Sequence, residues 1–396
     1  MNLKNILLGT SASALFVTGA VAADLPVAPE PVDYVRVCDV HGTGFFYIPG
    51  TETCLQVGGD VRSRYTYNDI NAGSRAGSPS EFSARGRIWL DARNESEWGS
   101  IRTYIRYTAS TDTNGAGGGA AELDRAFVQV GNFVTGYASS FMNLTYGAYA
   151  INNVYGTFDS DNTTWLAGYT FDLGNGAYFA ASIEAPERSG FEFDDDTIGI
   201  VAPGGYGGVT WPDAGFNLGI DQGWGSAGIV AGIHQVRPAD STGVGLDSEI
   251  GWFVGAGAEF NVLSTTKIGG TAFYSDGAMA RLGTDVPDAI INSSGTGIST
   301  TTAWSANLGI SHDLTSEIAF SLNGGYFSAE NDFGGIDLEA NAWMVGASVE
   351  YTPLSGLTFG AGVEYIDADV EATAGGASIS GDEDAYAITL QVVRSF

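Results

Sequence analysis

Basic residues are scarce in this chain: 16 Lys plus Arg stand against 46 Asp plus Glu, a formal net charge of −30 at pH 7. Binding to nucleic-acid phosphates needs a basic surface, so no nucleic-acid partner is expected. Lysine occurs only at Lys4 and Lys267, and Lys267 is not part of a phosphate-binding loop. Histidine occurs only at His41, His234 and His312, never as His-Glu-x-x-His, which removes the common zinc-protease pattern. No Gly-x-Ser-x-Gly elbow joins a strand to a helix, and Ser160-Asp161-Asn162 lacks the companion motifs of a lactam-binding enzyme. No catalytic residue, cofactor or metal site is expected. A membrane hydrolase stays open as an alternative, to be tested by lipase and protease assays in detergent.

Long apolar runs are also missing. None reaches the roughly 18 residues that a transmembrane helix needs. Residues 1–22 carry Lys4, a short apolar run and the small residues Ala20-Val21-Ala22, the three-part pattern of a cleaved export signal. Cysteine is limited to Cys38 and Cys54. After export they can pair in an oxidising compartment, which the loop-entropy model values at about 3 kcal/mol. The alternative is two free buried thiols. A zinc site is not expected, because His41 is the sole nearby histidine.

What is abundant is glycine and aromatics: 57 Gly, 21 Phe, 18 Tyr and 8 Trp. The mean hydropathy is +0.04. Many short strands with tight turns and aromatic girdles have this composition, because lipid-facing and water-facing residues alternate and cancel. Period-two alternation predicts sixteen strands, at residues 55–68, 81–95, 100–111, 122–131, 133–138, 163–173, 177–186, 213–222, 226–237, 250–263, 265–276, 302–313, 317–329, 341–353, 357–370 and 385–396. Seven tight turns alternate with eight long connections, near 69–80, 112–121, 139–162, 187–212, 238–249, 277–301, 330–340 and 371–384. Such sorting fits an all-β transmembrane antiparallel barrel with short periplasmic turns and long extracellular loops. In lipid no sheet edge can stay unpaired, so the last strand should pair with the first. The expected organisation is a signal peptide at 1–22, a periplasmic N-terminal segment at 23–54 and the barrel at 55–396.

Successive residues of a strand face opposite sides. Arg62 and Arg64 share one phase of the first strand, Arg85, Arg87 and Arg93 share a phase with Asp91 in the second, and Arg102 and Arg106 share one in the third. A charge on the lipid face costs about 2–4 kcal/mol at mid-membrane, so these seven arginines should face the lumen as a basic wall. The other reading is that they are paired and fill a narrow barrel, but sixteen strands enclose too wide an interior. Acidic groups facing the wall would set up a transverse field. Asp159 and Asp161, in the long connection at 139–162, are the expected partners, with Glu122 and Asp124 as further candidates. Asp194-Asp195-Asp196 could hold a divalent cation bridging to lipopolysaccharide phosphates, or could simply be a solvated loop. At the end of the chain, Ile388, Leu390 and Val392 alternate up to a terminal Phe396, a form resembling the signal read by the barrel-insertion machinery.

The chain resembles the trimeric outer-membrane porins of alphaproteobacteria, the rhizobial and Brucella type. The matching stretches are Tyr34-Val35-Arg36-Val37-Cys38-Asp39, Phe46-Tyr47-Ile48-Pro49-Gly50-Thr51-Glu52-Thr53-Cys54-Leu55, residues 85–107, Asp124-Arg125-Ala126-Phe127-Val128-Gln129-Val130-Gly131, Tyr169-Thr170-Phe171-Asp172 and Val393-Arg394-Ser395-Phe396. The resemblance implies a sixteen-strand homotrimer in the outer membrane. It implies passive diffusion of small hydrophilic solutes and ions, and a loop at 139–162 that folds inward as the constriction. Where it implies a basic residue after the fifth strand, the chain reads Gly136-Tyr137-Ala138. Two alternatives remain. Lumen aromatics such as Trp89 and Tyr104 would favour a substrate-specific channel, for a sugar for example; a charge-neutral interior would favour a surface-exposed adhesion barrel.

Overall fold

A computed structural model describes residues 36–69, 77–113, 119–151, 154–189, 205–239, 246–284, 286–291, 297–333, 336–374 and 377–396. The export signal expected at 1–22 and the triplet Asp194-Asp195-Asp196 lie outside these residues. Sixteen long strands follow the alternation: β1 (Cys54–Asn68), β2 (Ser80–Ser96), β3 (Gly99–Asp112), β4 (Ala120–Val130), β5 (Phe133–Ser139), β6 (Thr163–Gly174), β7 (Ala177–Glu184) and β8 (Asp213–Gln222) form the first half. The second half is β9 (Gly225–Val236), β10 (Glu249–Leu263), β11 (Thr266–Asp276), β12 (Thr302–Asp313), β13 (Ile318–Phe333), β14 (Ile336–Leu354), β15 (Leu357–Ala374) and β16 (Ala377–Ser395). Each pairs antiparallel with the next, and β16 returns to β1 from Ala387↔Asn68 to Ser395↔Asp60, so the sheet is a closed barrel.

Phe396 completes the closure. Its N–H donates to the Gly59 carbonyl at 2.9 Å, and the Gly59 N–H donates to the Phe396 carbonyl at 3.1 Å. The ring needs the missing side chain of Gly59, where a Cβ would lie 2.5 Å from the Phe396 ring. Below this point β1 would be an open edge. A two-residue strand, Phe46–Tyr47, covers it by pairing with Leu55 and Cys54. The Cys38–Cys54 disulfide ties that segment down, with Cα atoms 5.9 Å apart.

The apolar phase faces outward. Val61, Ile88, Leu218, Ile229 and Leu308 are all exposed, and Trp252–Tyr274, Trp304–Tyr326 and Trp343–Tyr365 pack as tilted ring pairs across neighbouring strands at 5.4, 5.0 and 5.2 Å. Such a row is an aromatic girdle on a lipid-facing belt. Arg394, which breaks the apolar phase of β16, donates to the Ser355 carbonyl in a tight turn at 2.7 Å.

Two of the eight long connections expected from sequence are not loops. Their described residues, 330–333, 336–340, 371–374 and 377–384, continue as strand, with Glu330↔Glu339, Asp332↔Asp337, Asp367↔Asp384 and Asp369↔Asp382 opposite one another. Their charge and glycine content imitates a loop, but ladder hydrogen bonds come from the backbone. A tilted strand of about 9–11 residues crosses the membrane, so the 16–19 residues of β13–β16 carry these acids beyond it, into water.

Candidate functional site

Inside the barrel the two sides of the wall differ. On β1–β4 the inward phase carries arginine. All seven arginines read from sequence stand on the strand phase opposite the exposed Val61, Ile88 and Leu90, and five of them are ion-paired. Asp60 accepts from Arg85 at 3.1 Å and from Arg87 at 2.7 Å. Asp91 accepts from both Arg93 and Arg102 at 2.7–3.1 Å, and Asp124 accepts from Arg106 at 2.7 Å and from Thr108 at 2.8 Å. Asp60 and Asp91 are each 3% exposed.

Two of the seven have no carboxylate partner. Arg62 makes no hydrogen bond or ion pair among the described residues, and Arg64 donates only to the Gln391 side chain and to the Ile151 carbonyl. A cavity of about 380 Å³ opens beside them, bounded by Thr66, Ser83 and Ser110. Arg125 adds an inward guanidinium that the sequence reading left out, and its Nε is buried without a partner. A bulge explains the omission: the register slips between Arg106↔Arg125 and Tyr107↔Leu123, so strict alternation cannot hold both Leu123 outside and Arg125 inside.

The opposite side of the wall is covered by the connection at residues 140–162. It leaves β5 with Ser140 donating to Glu184 at 2.6 Å. Met142 then lies where side chains at Gly215 and Gly232 would collide with it. Gly147 packs its backbone on the inward glycines of β11 and β12: a Cβ at Gly309 would overlap the Gly147 carbonyl oxygen, and one at Gly269 would lie 3.0 Å from its nitrogen. Tyr149 donates to Glu259 at 2.7 Å. Further on, the Ile151 N–H donates to Ser348 at 3.2 Å and the Val154 N–H to Glu364 at 2.6 Å. Tyr155 reaches Asn68 of β1 at 2.9 Å. The return leg accepts from Ser305 at the Phe158 carbonyl, 2.7 Å away, and pairs with the outgoing leg through Leu144 and Ser160. Met142, Leu144 and Phe158 join Phe253, Phe273, Met279, Leu282, Phe327 and Met344 in an apolar core inside the barrel.

The two acids expected to oppose the arginines are placed differently. Asp161 is exposed and within electrostatic reach of Arg125. Asp159 is 7% exposed, and its Oδ1 accepts from Thr157 at 2.7 Å while its Oδ2 has no partner. Phe158 takes a left-handed backbone (φ 48) and stacks on Phe327, which turns the following carboxyl into the packed side. Burial lifts the Asp159 carboxyl from 3.8 to about 6, against the Thr157 hydrogen bond and with help from the Asp161 charge.

A carboxyl raised in the folded state stabilises it when protonated. This contribution is complete below pH 3.8 and is lost as the pH rises through about 6. The rise is worth roughly 3 kcal/mol. Asp159→Asn keeps the acceptor for Thr157 and removes the titration. It is expected to melt above the parent at about pH 8 and level with it near pH 4, measured by thermal unfolding. A parent and variant differing equally at both pH values would contradict the buried-carboxyl account.

A sequence model of the porin subfamily matches residues 24–389. Porin Omp2a of Brucella melitensis is 38% identical over 261 residues, which is 58% of this chain and 66% of that protein, slightly under two thirds of its length. Among solved structures, the outer-membrane channel DcaP of Acinetobacter baumannii superposes with a TM-score of 0.67 at 16% identity, covering 88% of this chain and 99% of that one. OmpT, an outer-membrane protein of Vibrio cholerae solved in a trimer form, gives 0.53 at 10% identity over 87% and 100%. At these identities the structural likenesses speak for the barrel fold.

Proposed function

Because the chain belongs to the porin subfamily, we propose that it forms a water-filled channel in the outer membrane through which small hydrophilic solutes and ions diffuse passively. Solutes cross unchanged, so no catalytic group is needed. One observation carries the reading: the described residues of the 140–162 connection contact the wall from β6 round to β15 and touch Arg64 and Asn68 of β1, while the arginines stand on β1–β4. In this reading the connection is the constriction. Arg62, Arg64 and Arg125 supply uncompensated positive charge, and Asp161 supplies the opposing negative charge. The triads Arg85–Asp60–Arg87 and Arg93–Asp91–Arg102 stiffen the wall and each add one net positive charge, while the Arg106–Asp124 pair stiffens it without charging it. Tight turns face the periplasm, after removal of an export signal at 1–22 and with residues 23–54 as a periplasmic segment. Phe396 is the insertion signal, and three copies assemble as a homotrimer among lipopolysaccharide.

A substrate-specific channel is the second reading. It is favoured by Tyr104 stacking on Phe127 at 5.4 Å, with Arg102 lying over both rings, since an aromatic face beside a guanidinium can hold a sugar or a planar anion. Liposome swelling separates the two. Uptake that falls smoothly with solute size, whatever the sugar stereochemistry, is the expected result. Fast uptake of one sugar over its epimer would favour the specific channel, and no swelling with any solute would end both.

A further inference from the structure

The long-connection end of the barrel holds a second feature, away from the arginine wall. Five ionisable side chains are almost completely buried there: Glu184 (1% exposed), Asp213 (1%), His234 (2%), Arg281 (2%) and Asp288 (0%). They come from the ends of β7, β8 and β9 and from the segment after β11. Arg281 lies in a short 3-10 turn, Met279–Leu282. Its guanidinium donates to Asp213 Oδ2 at 3.2 Å and to Ser140 Oγ at 3.2 Å, and lies 3.6 Å from Glu184 Oε2. His234 Nδ1 is 3.0 Å from Asp213 Oδ1, and its Nε2 is 3.8 Å from Asp288 Oδ2. Asp288 accepts from the Met279 N–H at 2.6 Å and from the Tyr206 hydroxyl. A single guanidinium therefore lies between two buried acids, Glu184 and Asp213, and a histidine lies between Asp213 and the third, Asp288.

The place where this charge acts decides what it does. Ser140 is the first residue of the 140–162 connection after β5 ends at Ser139. Asn162 is its last residue before β6, and its side chain donates to the Ala280 carbonyl at 3.3 Å. The Ser140 N–H donates to the Asn162 carbonyl at 2.9 Å, which joins the two legs at their base. Met279 and Leu282, either side of Arg281, sit in the same apolar core as Met142 and Phe158. Both legs of the connection thus meet the turn that carries Arg281, and no other cation is hydrogen-bonded to either leg's base among the described residues.

We propose that Arg281 is a positioning residue for the constriction: it locks the base of the 140–162 connection to the barrel wall and so fixes the bore of the channel from outside the water path. This inference rests on the channel reading above. Without the guanidinium, Glu184 and Asp213 lose the charge between them; Asp213 keeps His234 and Glu184 keeps the donors Ser140, Phe141 and Ser182, so the two buried acids draw in water or separate, and Ser140 lies at the point where they would separate.

The test is single-channel recording of three variants in planar bilayers. Arg281→Met keeps the stem and removes the charge, Arg281→Lys restores a charge, and Ser140→Ala removes the hydroxyl at which Arg281, Glu184 and the Met142 N–H meet at the base of the connection. Each recorded step counts one folded channel, so a fall in folded yield alone leaves the step size unchanged. The expected result is that Arg281→Met loses the single steady level, flickering between larger and smaller steps, that Arg281→Lys regains most of it, and that Ser140→Ala shows the same flicker in weaker form. Steady steps of parental size in both Arg281→Met and Ser140→Ala would overturn the inference. If Arg281→Met fails to fold, Arg281→Gln, which keeps an amide donor and carries no charge, takes its place with the same expected and overturning results. A parent that forms no channels would defeat the channel reading itself, a separate outcome.

Discussion

Replacing Arg62 and Arg64 together by glutamate is expected to move ion selectivity toward cations by about tenfold. In water a unit charge acts on an ion at ~6 Å with about 0.7 kcal/mol, and screening at 0.1 M salt leaves roughly half. Two Arg→Glu changes alter the wall by four charges, or roughly 1.5 kcal/mol after screening, which is about a factor of ten in relative permeability. The effect is large because four charges change at once and neither side chain is hydrogen-bonded to a carboxylate, Asp60 and Glu81 acting on them only at longer range. The paired arginines should behave differently. Arg87→Gln removes one charge and leaves Asp60 bonded to Arg85, so the free energy behind the shift should be about a quarter of that for the four-charge change. Reversal potentials across a salt gradient give the comparison. Equal shifts from the Arg62/Arg64 pair and from Arg87 would mean that all wall arginines count alike, and that the pairing seen at Asp60 has no electrical consequence.

The second large effect is steric. Gly309→Val is expected to lift the 140–162 connection off its seat and change single-channel conductance, in a barrel that still folds. A Cβ at Gly309 meets the carbonyl oxygen of Gly147 and then Tyr149. One side has to move. The wall is held by ladders on both sides of β12, from Thr302↔Asp276 to Asp313↔Ala319. The connection is held at this point by packing and by the single hydrogen bond from Tyr149 to Glu259. The connection yields, at a cost of about 1–3 kcal/mol typical of overpacking. Gly86→Ala is the comparison, since a Cβ at Gly86 meets nothing within 4 Å. Its conductance should match the parent. If Gly309→Val also conducts like the parent, the glycines of β11 and β12 are not what seats the connection.

The barrel was legible because period-two alternation is a direct consequence of strand geometry. Closure between β16 and β1 followed from the physics of lipid, which allows no open edge. The inward arginines of β1–β3 were legible for the same reason. Their pairing was only half legible. Asp60 and Asp91 stand in the arginine phase and could be placed on the same face, but which guanidinium reaches which carboxylate depends on cross-strand register, and register is not written in one strand alone. Arg125 was hidden by the bulge in β4, a one-residue slip that local composition does not announce. Asp159 and Asp161 could not be told apart, because a connection has no period to say which side faces water; the turn at Phe158 decides it. The β13–β16 extensions were misread as loops, since charge is a poor guide to backbone pairing once a strand has left the membrane. Nothing in the sequence pointed to the Arg281 cluster, whose members come from β7, β8, β9 and the segment after β11 and meet only in the folded barrel.

The central claim is an open, water-filled pore narrowed by a fixed internal segment. Planar-bilayer recording of the purified protein tests it most directly. The account requires large, steady conductance steps that arrive in groups of three and grow in proportion to salt concentration without saturating. Protein shown to be folded by its heat-modifiable mobility, yet giving no steps at any salt concentration, would contradict it.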